Sequence, residues 1–595
     1  MKENTPSQEA LFPEIPLPQT VIHYCEQFGI QHIVISAGSR NAPLTNGFVE
    51  NNYFKTYSVV DERAAAFFGL GMAQQLQQTV ALVCTSGSAL LNYYPAVAEA
   101  YYSNIPLVVI SADRMPHRID IGDGQTIQQA GVFGPHLVGA SALKPDVSHA
   151  IKTLLESPLQ DLVPADADTD TIEKIQAAHQ SHNEQEIQRV LQLATTQKGP
   201  VHLNVPMEEP LYGMSTQSLQ FGLITKAAQP EPMNHHLELE KNWKKATKKM
   251  ILVGVLPPDS QWKPLLGQLM QDPSVVLLSE KTSNLHHPKA IRSIDCLLAP
   301  MEIDSNDFRG TLQPELLLTL GGMIVSKKIK AFLRRYPANR HYHLDPIKAY
   351  DTFYHLHEHI KANPIVILKN LLTLPKAPSS NYQETVVARY DQYLVQGQHY
   401  LQGIPFSDLK VFQTLFERLP SHLHLQIANS SPIRYSQLFN LPPSISVYCN
   451  RGTSGIDGST ATAIGAAQIR KEPTLLITGD LSFFYDSNGL WNNYIPPHFR
   501  IILINNNGGG IFRILPGEKD TDKYDTYFET IHQRSARHLA RSFGFSYRKV
   551  ATSLGLKWQL RSFFSASSKP RILEIQTPRK INDTILLNYF KAMVK

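Results

Sequence analysis

One pattern recurs along this chain and restricts its fold more than any other: a short, wholly apolar run, a glycine-bearing turn, then a helical stretch. It appears in HIVISAGSR (32–40), TVALVCTSGSALL (79–91) and PLVVISADR (106–114). A sheet with one wet face would alternate apolar and polar residues, so strands that are apolar on both sides belong to parallel sheets covered by helices. The pattern returns in KKMILVGVLPPD (248–259), SVVLLSE (274–280) and ELLLTLGGMIVSKKIKAFLRRY (315–336). It returns again in LHLQIANSSPIR (423–434), TLLITGD (474–480), RIILINNNGGGIF (500–512) and RILEIQ (571–576). The expected fold is α/β, with three doubly wound parallel-sheet domains at 1–215, 216–386 and 387–595, the first junction falling in the polar connector near Gln217–Asn234. At about 100–200 residues per domain, 595 residues accommodate three.

The first domain is interrupted. Between Glu156 and Gln185 the chain carries Asp161, Asp166, Asp168, Asp170 and Glu173 with many Gln and His residues, which reads as a surface insertion or partly helical excursion. Composition excludes several functions. The formal net charge is only +5, and Lys and Arg are dispersed rather than gathered into a basic tail, so nucleic acid is not an expected partner. Cys25, Cys84, Cys296 and Cys449 lie far apart with no CxxC or Cys/His pair at ligand spacing, which argues against a disulfide framework or zinc and fits a reducing cytoplasm. The first residues lack a basic region followed by an apolar core, and the longest apolar runs (Ile105–Ala112, Met250–Leu256) are too short to cross a bilayer. The expectation is a chain that is neither exported nor membrane-spanning.

The most specific chemical signal is Gly479-Asp480 at the carboxyl end of one apolar strand, with Asn506, inside Asn505-Asn506-Asn507, at the end of the next. Ligands of an open parallel sheet collect outside the carboxyl ends of its strands, so these side chains converge there. A carboxylate, an amide oxygen and a backbone carbonyl are hard donors suited to Mg²⁺ and leave positions for diphosphate oxygens. The residues resemble the GDG…NN signature of thiamine-diphosphate enzymes, with Leu481 in place of the final glycine. The resemblance assigns Asp480, Asn506 and the Gly508 carbonyl to Mg²⁺ or Mn²⁺. It also assigns a cofactor-activating carboxylate to Glu62, in VVDERAAAFFGLGMA (59–73), where the side chain would hydrogen-bond the pyrimidine N1′ of thiamine diphosphate.

Longer stretches narrow the resemblance: SAGSRNAPL (36–44), TSGSALLNYYPAVAEA (85–100), SADRMPHRIDIGDGQTIQQAGVF (111–133), GPVHLNVPMEEPLY (199–212), YCNRGTSGIDGSTATAIG (448–465) and NNNGGGIFRILP (505–516). Together they look like the 2-succinyl-5-enolpyruvyl-6-hydroxy-3-cyclohexene-1-carboxylate synthases of menaquinone biosynthesis. That resemblance implies a transferase that decarboxylates 2-oxoglutarate and adds the four-carbon unit to isochorismate. It also implies a homodimer, or dimer of dimers, with active sites at subunit interfaces. Both substrates are dicarboxylates, and bidentate Arg suits a carboxylate. Matched by motif, Ser39, Arg40, Arg114, Gln125, Lys327, Lys328, Arg434 and Arg451 are implied to meet substrate, with Gln125 near the reacting carbon. Ser430, Ile456, Leu481 and Phe512 are implied to meet the cofactor, and Ile511, Phe512 and Leu515 to wall the substrate cavity.

The charged stretch GEKDTDKYDTYF after the metal loop shows no helical apolar periodicity and is expected to act as a lid that excludes water. Three other readings are open at this level. A thiamine-dependent decarboxylase or acetolactate-type synthase for smaller 2-oxo acids would leave Arg40, Arg114, Arg434 and Arg451 unmatched. A non-catalytic cofactor-binding subunit would have no use for both Glu62 and the metal set. A flavin or NAD dehydrogenase would need a strand-linked GxGxxG, and Gly508-Gly509-Gly510 follows the Asn run instead.

Overall fold

The computed structural model describes residues 10–149, 151–156, 162–164, 166–222, 236–304, 307–375, 379–514, 519 and 521–595. It contains three parallel sheets and one two-stranded antiparallel ribbon, Phe12–Pro13 with Met214–Ser215. In the first sheet the strands lie in the order Lys55–Ser58, His32–Ile35, Val80–Cys84, Leu107–Asp113, Val201–Pro206, Gly139–Ala142. In the third they are Ser446–Tyr448, His424–Ile427, Thr474–Gly479, Arg500–Asn505, Arg571–Gln576, Ser546–Val550. Numbered along the chain, both orders are 2-1-3-4-6-5, and the middle sheet (Lys249–Val253 to Glu358–Ile360) is 2-1-3-4-5. Each therefore reverses direction between its first and third strands, the point where an open α/β sheet gapes and binds ligands.

The central strands are buried along their whole length, as in VALVC (Val80–Cys84) and RIILIN (Arg500–Asn505). That burial is what the unbroken apolar runs encoded. Contacts divide the chain into two compact units. One comprises Met1–Ala228 with Thr460–Arg470 and Asp486–Ile495, and the other comprises the remainder. The middle and third sheets, both in the second unit, share one hydrophobic core. The helix Tyr382–Gly403 packs on both Ile294–Asp304 and Asn582–Ala592, its Tyr382 hydroxyl donating to the Leu312 carbonyl (2.8 Å) and its Tyr400 hydroxyl to the Ile585 carbonyl (3.1 Å).

Of the two expectations for the interruption in the first domain, surface insertion or partly helical excursion, the structure has the helical one from Thr169. This is the start of a 28-residue helix, Thr169–Thr196, whose cap is the Asp168 carboxylate accepting from Thr171 N at 2.8 Å. Ile172, Ile187, Val190, Leu191 and Ala194 are buried, and the helix packs on the strands Gly139–Ala142 and Val201–Pro206 and on the helix Pro16–Gln27. At about 1.5–3 kcal/mol per buried aliphatic side chain, that face seats the helix on the core, chiefly through residues beyond Gln185. Its polar residues are not all turned to solvent: Gln176 donates to Asp146 (2.7 Å), His179 bonds the Pro145 carbonyl (2.8 Å), Gln180 donates to Thr20 (2.9 Å) and Asn183 donates to the Lys144 carbonyl (2.8 Å). Residues 157–161 and 165 lie outside the described set.

The four cysteines are buried free thiols. Among the described residues no helix is long and apolar enough to cross a membrane.

Candidate active site

At the reversal point of the first sheet, the loop after His32–Ile35 meets the loop after Val80–Cys84. A Cβ on Gly38 would stand 2.3 Å from the Thr85 Cβ, so only glycine permits this approach. The approach leaves Ser39 exposed and turns Arg40 inward. Arg40 is 5% exposed, donating to the Met207 carbonyl (3.2 Å) and to Glu209 (2.7 Å). Burial, and then the neighbouring Arg114 charge, lower its proton affinity. Arg114 is half-buried and its Nε donates to the Gly124 carbonyl at 3.2 Å. The adjacent Gln125 is exposed in a left-handed conformation (φ 58°). Its loop is pinned by Gln129, whose Oε1 accepts from Gly87 N (2.9 Å) while Nε2 donates to Asn204 (2.6 Å). Asn204 in turn donates to Asp113 (2.7 Å).

Glu62 opens the helix Glu62–Leu76, capped by Asp61. Its half-buried carboxylate makes no hydrogen bond or ion pair with a described residue. Burial above all, and the Glu62 charge in lesser part, raise the Cys84 thiol and the Tyr93 hydroxyl at the neighbouring strand end. An uncommitted carboxylate is what a basic ring nitrogen would require.

At the reversal point of the third sheet lies a cavity of about 130 Å³, bounded by Asn429 and Ser430 on one strand end and by Asp480 on the next. Ser430 has φ 71°, and Asn507 in the adjoining loop has φ 66°. Such backbone costs about 1–3 kcal/mol for a residue with a side chain and concentrates at functional sites. Asp480 follows directly on the strand Thr474–Gly479, is 3% exposed, and accepts from Leu481 N (2.7 Å) and Gly508 N (3.0 Å). His532 Nε2 is 3.4 Å from the same carboxylate. Asn506 donates its amide to Asp408 (3.0 Å), while its buried Oδ1 has no hydrogen-bond partner.

A buried oxygen without a donor beside a buried carboxylate fits a cation better than it fits solvent or packing. Among the described residues no group of three His, Cys, Asp or Glu could hold a metal. A cation here would rest on the mixed set of Asp480, Asn506 and a backbone carbonyl in the Gly508 loop. Leu481, Ile456, Ile511 and Phe512 supply apolar walls, and the Ile456 carbonyl is held by the Ser482 hydroxyl (2.6 Å). Leu515 lies outside the described residues.

Arg434 and Arg451 stand in one electrostatic cluster: burial first, and then the Arg451 charge, lower the proton affinity of Arg434. Arg451 is 9% exposed and bonds Asn429 (2.7 Å), with its Nε unpartnered. The Arg434 guanidinium makes no hydrogen bond to a described residue. The lysine whose charge joins this cluster is Lys330, one turn beyond the expected pair and lowered by burial and then by Arg451. Lys327 is exposed at the helix start, and Lys328 forms an exposed ion pair with Glu302 (3.0 Å). On a helix of about 3.6 residues per turn, positions two apart point to nearly opposite sides, which separates Lys330 from Lys328. Beneath the cations is Glu280, 2% exposed, which accepts from Val325 N and Ser326 N at 2.8 Å and is pushed up to about 7 by burial.

From Thr521 onward, the stretch expected to be a lid is helical. Asp522–Tyr527 is a helix capped by Thr521, and Arg513 and Arg579 clasp the buried Glu529 from both sides, with Arg579 also 2.9 Å from Asp525. Residues 515–518 and 520 lie outside the described set.

Comparison with known proteins decides between the readings. The model for the thiamine pyrophosphate enzyme N-terminal TPP binding domain matches residues 17–132. The 2-succinyl-5-enolpyruvyl-6-hydroxy-3-cyclohexene-1-carboxylate synthase of Flavobacterium psychrophilum is 48% identical over 98% of this chain and 100% of its own length. The chain belongs to this synthase family. Synthases of the same name from Flavobacterium johnsoniae (48% identical, 98% of this chain and 100% of the relative) and Porphyromonas gingivalis (36%, 95% of each) also align nearly end to end. Membership in the synthase family makes it a thiamine-diphosphate-dependent transferase.

Asp408, Gln129, Lys330, Glu280 and Glu529, which the structure brings against the candidate residues, are not legible in the sequence as such. Asp408 follows Ser407 at a helix start, where an acid is ordinary.

Proposed function

We propose that this enzyme decarboxylates 2-oxoglutarate and adds the resulting four-carbon unit to isochorismate, the reaction of menaquinone biosynthesis for which its family is named. What supports this most is the pairing, at one reversal point, of the unpartnered Asn506 Oδ1 with Asp480, beside a cluster of cations short of partners. Asp480, Asn506 and the Gly508 carbonyl would hold Mg²⁺ or Mn²⁺ and, through it, the diphosphate. When bound, thiamine diphosphate supplies the electron sink for decarboxylation of a 2-oxo acid.

The remaining work falls to the chain. Glu62 holds a proton at the pyrimidine N1′. Ser430, Ile456, Leu481 and Phe512 seat the cofactor, and Ile511 and Leu515 exclude water around the substrate. Arg40, Arg114, Arg434 and Arg451, with Ser39, Lys327 and Lys328, neutralise and orient two dicarboxylates, and Gln125 meets the reacting carbon. Pyruvate would leave such cations unmatched, at the cost that buried unpaired charge carries.

The proposed working form is a cytoplasmic homodimer or dimer of dimers with active sites at the subunit interface. The proposed domain limits are 1–215, 216–386 and 387–595. The decisive experiment follows isochorismate loss with 2-oxoglutarate or pyruvate as donor. Turnover with 2-oxoglutarate alone is expected, and equal use of pyruvate, or no CO₂ from 2-oxoglutarate with saturating cofactor and Mg²⁺, overturns the reading.

A further inference from the structure

Asn506 can serve a cation only with its oxygen turned toward it, and an amide has two nearly isosteric ends. One bond sets which end faces the cavity. Asn506 Nδ2 donates to Asp408 Oδ2 at 3.0 Å, and a carboxylate only accepts, so the reverse orientation would set oxygen against oxygen. Asp408 is itself held. Its other oxygen accepts from the Thr577 hydroxyl (2.6 Å) and its backbone N–H donates to Asn582 Oδ1 (2.8 Å). It is 2% exposed and forms part of the cavity wall.

We propose that Asp408 is the positioning residue of the metal site: its carboxylate, fixed by Thr577 and Asn582, locks the Asn506 amide with Oδ1 toward the cation. The inference rests on the assignment of Asn506 as a metal ligand. It adds a residue that touches neither metal nor substrate and acts through Asn506. Partners that orient a ligand typically contribute about 10–100-fold to metal affinity.

The two ways in which a buried carboxylate can help a cation are separable. Asp408→Asn removes the charge but keeps an oxygen that accepts from Asn506 Nδ2, its own amide then facing the Thr577 hydroxyl. Asp408→Leu removes charge and acceptor together. Mn²⁺ binding to the full-length protein with thiamine diphosphate present is read from the free-ion EPR signal, with the melting temperature of the metal-free protein as a check on folding. Asp408→Leu is expected to bind Mn²⁺ about 10–100-fold more weakly than wild type, and Asp408→Asn within about threefold, since one neutral acceptor remains. In turnover, the Leu variant should show a raised KM for Mg²⁺ with kcat recovered at saturation. If leucine does not fold, Asp408→Ala replaces it, because shortening a wall residue only enlarges the cavity.

A folded Leu or Ala variant with wild-type Mn²⁺ affinity overturns the proposal. So does an Asn variant as weak as Leu, which would assign the effect to charge. If the wild-type protein itself binds no Mn²⁺ with thiamine diphosphate, the metal-site reading fails instead.

Discussion

The carbonyl oxygen of Thr462 lies 2.0 Å from the point where a side chain on Gly71 would begin. The contact is reciprocal, because a Cβ on Gly465 would stand 2.0 Å from the Phe68 carbonyl oxygen. Two helices, Glu62–Leu76 and Ser459–Ile469, thus cross backbone against backbone, and the first of them begins with Glu62. Alanine is ordinarily better than glycine inside a helix by about 0.5–1 kcal/mol. Here the atoms it would strike are main chain and cannot rotate aside. Gly71→Ala and Gly465→Ala are therefore each expected to destabilise, by about 1–3 kcal/mol or more, and to weaken thiamine diphosphate binding by shifting Glu62. Thermal melting and a cofactor titration check both effects.

Replacing Glu62 by Gln leaves the helix cap on Asp61 untouched and keeps a hydrogen-bonding group of the same length. The melting temperature should hold while kcat falls by about 10²–10⁴, the range for a lost acid–base group. Steady-state kinetics beside a melt decides it. Unchanged kcat in a folded variant would remove Glu62 from the mechanism.

Glu280 makes stability depend on pH in a specific direction. Burial raises its folded pKa to about 7, above its ordinary 4.5. Between those values the native state keeps a proton that the unfolded chain has released, so this group's contribution falls as pH rises. The penalty is absent below pH 4.5 and complete above about 7. Glu280→Gln keeps an oxygen for the Val325 and Ser326 amides and never ionises. It should gain on wild type by up to about 3 kcal/mol as pH climbs from about 4.5 to about 8. Denaturation midpoints at several pH values test this, and a gap that does not vary with pH would exclude it.

Glu529 is fully buried between Arg513 and Arg579, and its backbone carbonyl accepts from Gly509 N at 2.7 Å. Glu529→Gln removes the buried charge between the two guanidinium groups and leaves them the more exposed Asp525, at 3.4 Å from Arg513 and 2.9 Å from Arg579. Breaking a buried pair costs about 3–5 kcal/mol. Since the same residue props the Gly508 loop, Mg²⁺ affinity should fall with stability. A denaturation curve and a Mg²⁺ titration on one preparation are the check.

The three sheets can be read from the chain because each central strand is apolar on both sides, a pattern that admits few alternatives. The metal candidates can be read for a related reason: Asp480 and Asn506 stand at strand ends, and strand ends are visible in sequence. Residues that act from a distance are not. Asp408 reaches Asn506 across 98 positions of chain, and a Ser-Asp pair opening a helix looks like any other cap. Glu156–Gln185 shows its helix only in part because most of that helix's buried apolar residues, Ile187, Val190, Leu191 and Ala194, follow Gln185, while its own inward contacts are hydrogen bonds of Gln176, His179, Gln180 and Asn183. Lys330 is not singled out by sequence, since only burial and the nearby Arg451 charge, which appear in the fold, distinguish it from Lys327 and Lys328.

The hydrogen bond from Gly508 N to Asp480 has a chemical consequence of another kind. Asn507-Gly508 is the dipeptide at which polypeptides deamidate most readily, since glycine lets the following amide nitrogen swing onto the asparagine side-chain carbon. In the folded protein that nitrogen is engaged by Asp480 at 3.0 Å, and the Asn507 side-chain oxygen is held by Gln576 at 3.0 Å. The Asp480 carboxylate thus shields this loop from chemical ageing, so covalent damage at Asn507 would accumulate in chains that have already lost the fold.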